Sequence, residues 1–77
     1  MCRSIKTLYN YEPKATSSDI DAASLQFVRK VSGYRKPSTV NQQAFDQAVA
    51  EISHVVEHLL EHLQTNASPK VRYFLVS

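Results

Sequence analysis

The sequence predicts an all-α fold, an antiparallel hairpin of two amphipathic helices spanning about 17–32 and 39–64 with a short N-terminal element. Three observations carry this. Apolar residues recur at helical spacing in two blocks, Ile20, Ala23, Leu25, Phe27, Val28 and Val31, then Phe45, Ala48, Val49, Ile52, Val55, Val56, Leu59, Leu60 and Leu63. A polar connection, Gly33 to Pro37, separates the blocks. The single Gly and the three Pro of the 77 residues all lie outside the longer block, so nothing in it breaks a helix.

Taken in order, residues 1–15 hold Ile5, Leu8, Tyr9 and Tyr11, enough for a short helix or an ordered arm before Pro13 stops it. Thr16 and Asp19 then read as a capping box with a shorter acid, which starts the first helix, and Gly33 ends it. Ser38 stands where it can cap the second helix. Two helices joined so briefly are expected to pack antiparallel, burying Phe27, Phe45, Val49, Ile52, Val56 and Leu59. Residues 65–77 form a tail whose end, Val71 to Val76, is β-prone and suited to packing back on the helices or to contact with another chain. Residues 1–77 are read as one small domain.

Composition narrows the function classes. Nine Lys+Arg against seven Asp+Glu give a net charge of +2, and 43% of residues are hydrophobic, an ordinary globular balance. The longest apolar run, Tyr73 to Val76, is far below the roughly 18–20 residues a membrane span needs. The N-terminus shows positive charge without the apolar core of a signal peptide, and one cysteine cannot form an internal disulfide, so a reducing, cytoplasmic setting is expected. A chain this short buries only about 60% of its unfolded surface, which makes a homodimer a natural supplement and a large multi-site enzyme out of reach.

Three features carry chemistry. His54, His58 and His62 recur every four residues along one edge of the second helix, with Glu51 beside them, and two overlapping stretches match the H-x-x-E-H pattern of inverted zinc peptidases. Such a site needs a third protein ligand, and after His62 the chain offers no Glu, Asp, His or Cys, leaving Glu51, Cys2 or another subunit to supply it. A solvated helix face is therefore the first reading of the ladder, zinc or nickel binding the second, and no cofactor is expected. Next, Arg29, Lys30, Arg35 and Lys36 cluster without an acid among them, beside Ser32, Tyr34, Ser38 and Thr39 and at the start of a helix, a combination suited to a phosphate or carboxylate. The competing reading is that Arg29 and Lys30 favour the end of the first helix while the loop cations keep the chain soluble. Last, Cys2, next to Arg3, becomes a terminal aminothiol if Met1 is removed, although a packed or frayed terminus is the default for a lone cysteine.

These residues also carry a resemblance. Met1-Cys2-Arg3, Ile5, Thr7-Leu8, Asn10, Pro13, Ala15-Thr16, the run Leu25 to Gly33, Lys36-Pro37-Ser38, Asn41, Ala44-Phe45 and Ala48-Val49 resemble a family of small uncharacterised bacterial proteins, a domain of unknown function, over about residues 1–68. The resemblance implies a bacterial cytosolic protein and brings no activity, cofactor or partner. Its pattern does not require the helix histidines and concentrates on Cys2-Arg3 and on Arg29 to Ser38. At the level of fold, Leu8, Pro13, Ala15-Thr16, Asp19-Ile20, Ala23, Ala44-Phe45, Ala48 and Ile52 are similar to a degenerate J-domain. Where a J-domain carries His-Pro-Asp, this chain reads Ser32 to Ser38, so chaperone stimulation does not carry over.

The expectation is a non-enzymatic interaction module whose basic inter-helix loop binds an acidic or phosphate-bearing protein partner. Nucleic acid is disfavoured, because +2 is weak and no aromatic stacking platform is evident. The alternative is a metal-binding or thiol-based activity at the histidine ladder or Cys2.

Overall fold

A computed structural model describes residues 5–71. Along the chain run β1 (Tyr11–Glu12), α1 (Ser17–Ser32), a single 3-10 turn (Thr39–Asn41), α2 (Gln42–His62) and β2 (Lys70–Val71). The result is a helical hairpin with a two-stranded parallel clasp beside it.

Helix α1 has the expected bounds, and both ends are explained by their caps. Thr16 is extended, its Oγ1 accepts the Asp19 N–H at 3.2 Å, and the Asp19 carboxylate accepts the Thr16 N–H at 2.8 Å. At the other end Gly33 takes the left-handed conformation, φ 79°, and donates its N–H to the Arg29 carbonyl at 2.9 Å.

The second helix differs from expectation at both ends. Residues 39–41 form a tighter turn, in which the Asn41 N–H donates to the Ser38 carbonyl at 2.9 Å. Ser38 makes no side-chain cap bond; its hydroxyl instead accepts from Asn41 Nδ2 at 2.9 Å, because the i to i+3 ring brings that amide within its reach. The α-helix then stops at His62, with Leu63 extended at φ −75°, ψ 145°. Beyond it the Thr65 hydroxyl accepts the Ala67 N–H at 3.1 Å, a local turn that competes with continued helix.

Ile20, Ser24 and Val28, one turn apart on α1, are buried against α2, as is Phe45 from the α2 side. Ser24, 1% exposed, lets the backbones approach, and its hydroxyl is satisfied by donating to the Ile20 carbonyl at 2.9 Å. Val49, Ile52 and Val56 are half-buried. Phe27 and Leu59, expected inside, are 46% and 53% exposed. A two-helix hairpin has one contact seam, and residues at the flank of each apolar stripe lie outside it unless a third layer covers them.

The head is the ordered arm of the two alternatives and not a helix. Asn10 adopts φ 64°, which breaks any helical turn, and its side-chain amide donates to the Ala67 and Ser68 carbonyls at 3.4 and 3.3 Å. Tyr11 then pairs with Lys70 and Glu12 with Val71, and the Lys70 N–H donates to the Asn10 carbonyl at 3.0 Å. The start of the tail thus packs back on the head; Tyr73 to Val76 lie outside the described residues. No described helix is long and apolar enough to cross a membrane.

Candidate interaction surface

The inter-helix loop is anchored from inside α1. Arg29, half-buried, donates from Nε to the Arg35 carbonyl at 3.0 Å, so its guanidinium braces the loop two residues past the Gly33 cap. The Tyr34 N–H donates to the Ser32 hydroxyl at 3.1 Å, and Asn41 Nδ2, already on Ser38, also reaches the Tyr34 hydroxyl at 3.3 Å. Lys30, Arg35, Lys36, Ser38 and Thr39 are exposed around this frame. No Asp or Glu occurs in residues 22–45, and neither Ser38 nor Asn41 caps the turn or helix it precedes with a side-chain bond. The frame depends on Asn41, which the sequence reading did not single out for the site; its place three residues after a Ser and one before the α-helix was the available signal.

The histidine ladder forms as a column of rings. His54 and His58 lie 5.6 Å apart and tilted, His58 and His62 5.0 Å apart and stacked, all three on exposed positions. His62 Nδ1 sits 2.8 Å from the His58 carbonyl, and Glu51 accepts from Gln47 Nε2 at 2.9 Å. Among the described residues no three His, Cys, Asp or Glu side chains come together in a way that could hold a metal ion. Cys2 and Arg3 lie outside the described residues.

Beside the loop, sequence reading missed an apolar groove. Phe27, Val31, Tyr34, Ala44, Ala48 and Ile52 line an open crevice of about 330 Å³ between the end of α1 and the start of α2. Val31 is 70% exposed, and Val55 and Leu59 continue the apolar strip along α2. The signal was present in Phe27 and Val31, one turn apart at the flank of the α1 stripe, facing alanines on α2. A second cavity, about 570 Å³ and of mixed polarity, lies at the opposite end between the head and the end of α2, with Tyr9, Tyr11, Glu57 and Glu61 in its wall.

With loop, ladder and groove placed, comparison with known families gives one answer. The family described as "Uncharacterized conserved protein (DUF2277)" matches residues 1–76. The chain belongs to this family. The DUF2277 match spans both helices, the basic loop and the clasp, so the whole described fold falls within it. No curated protein and no solved structure matches the chain, and the J-domain likeness finds no counterpart there.

Proposed function

We propose that this DUF2277 protein is a non-enzymatic interaction module whose inter-helix loop binds an acidic or phosphate-bearing protein partner. The observation that supports it is the Arg29 to Arg35 carbonyl bond, which fixes the loop carrying Lys30, Arg35 and Lys36 in a segment free of acids. A braced loop has less conformational freedom to lose on binding than a slack one. The turn that opens after Ser38 has no side-chain cap, and its leading N–H groups lie where helix polarity favours an anion.

Titrating the protein with a phosphoserine peptide while following backbone amide resonances tests this. The expected response is a salt-sensitive shift centred on Arg35 to Asn41, lost in Arg35→Ala/Lys36→Ala. Exposed charges away from the core usually change stability by less than about 0.5 kcal/mol, so the double variant is expected to melt like the parent. Shifts undiminished by the substitution, or unaffected by salt, count against the loop.

A further inference from the structure

The groove has an occupant that the chain itself can supply. On α2, the apolar residues flanking the packed seam are Ala44, Ala48, Val55 and Leu59, which fall within about 60° of arc on an α-helix. Small residues occupy its first half and large ones its second. Ala48 and Val55 are equidistant from the midpoint between Glu51 and Ile52, and so are Ala44 and Leu59. Val55 and Leu59 stand 65% and 53% exposed, while Ala44 and Ala48 form part of the floor of the crevice.

We propose that the groove takes a second copy of this chain, α2 packing antiparallel on α2 about a two-fold axis between Glu51 and Ile52. The proposal rests on reading this end of the molecule as an interaction surface and assigns its groove, as distinct from its loop, to a second copy. Under that axis Val55 and Leu59 of each copy enter the crevice of the other, opposite Ala48 and Ala44, and the contact is isologous and closed. Phe27 and Val31, exposed on α1 at the crevice wall, gain the cover they lack in one copy. Among the described residues only Ile20, Val28 and Phe45 are buried apolar side chains, a small core for an independent chain of this length.

Sedimentation equilibrium of the full chain from about 1 μM to 1 mM reads the association. A dimer is expected. Leu59→Glu, which alters a residue already exposed in one copy, is expected to weaken it about thirtyfold or more with helicity unchanged by circular dichroism. Because a poorly folding variant would confuse that result, a swap provides the second arm: Ala48→Val and Val55→Ala each weaken association, and the two together restore it. A monomer at every concentration, a dimer indifferent to Leu59→Glu, or a swap that restores nothing overturns the proposal. The outcomes separate it from the loop reading. A monomer whose Arg35 to Asn41 resonances still respond to phosphoserine peptide refutes the second copy and leaves the loop standing. A dimer whose groove variants behave as expected, while the loop ignores the peptide, does the reverse.

Discussion

Ser53 and Phe45 show what single side chains contribute in so thin a fold. The Ser53 hydroxyl is buried and has no hydrogen-bond partner among the described residues, one turn of α2 away from the half-buried Val49 and Val56. A buried hydroxyl without a partner costs stability that a methyl group does not, so Ser53→Ala is expected to stabilise by about 1 kcal/mol. That corresponds to a melting temperature about 4–8 °C higher in a domain of this size, and a lower value would count against the packing described for α2. Phe45 is the opposite case. It is the one residue of α2 that is buried, and Phe45→Ala is expected to cost about 3–5 kcal/mol, much of the stability of a small domain. Phe27→Ala, at a half-exposed ring, is expected to cost distinctly less; thermal melts of the two variants side by side check the ranking.

At the scale of elements, α1 was legible to the residue because both its ends are written in local chemistry: Thr16 and Asp19 close a reciprocal cap, and Gly33 supplies the left-handed stop. The bounds of α2 were less legible, since its start depends on how Ser38 and Asn41 share hydrogen bonds and its end on a polar turn at Thr65. The strands were barely legible: Val71 opens a stretch read as β-prone, but nothing marked Tyr11 and Glu12 as the segment it joins. Two-residue ladders carry no periodicity, and their pairing joins residues 59 positions apart. The groove was hidden for a related reason: periodicity identifies an apolar stripe but not how much of its width a single neighbouring helix covers. Within the site, the loop cations and the ladder were read directly from spacing, while the Arg29 to Arg35 brace, which depends on the path of the loop, was not. The ladder has its own test. His58 and His62 are stacked 5.0 Å apart, and pairs of His one turn apart are known zinc ligands, but with no third side chain gathered among the described residues only weak binding is expected. Melting with added zinc or nickel checks this by mass action: a small rise removed by His54→Ala/His58→Ala fits, and a large rise at sub-micromolar metal refutes it.

For the molecule as a whole, the hairpin and the clasp stand in an unequal relation. Bringing Tyr11 and Glu12 to Lys70 and Val71 in a slack chain closes a loop of some 58 residues, at an entropic cost that scales to about 3–4 kcal/mol. The clasp offers in return a few hydrogen bonds, among them Lys70 to Asn10, and the Lys70 ammonium 5.7 Å over the Tyr11 ring. Each is worth about 1 kcal/mol or less, so together they at most roughly balance the closure. Once α1 and α2 have packed, only short spans remain between the helix ends and the strands, and most of that cost has already been met by the hairpin. Folding order follows: the locally wound helices come first and the joining of the two ends last. On unfolding the sequence reverses, and the clasp can part while the hairpin beneath it stays whole.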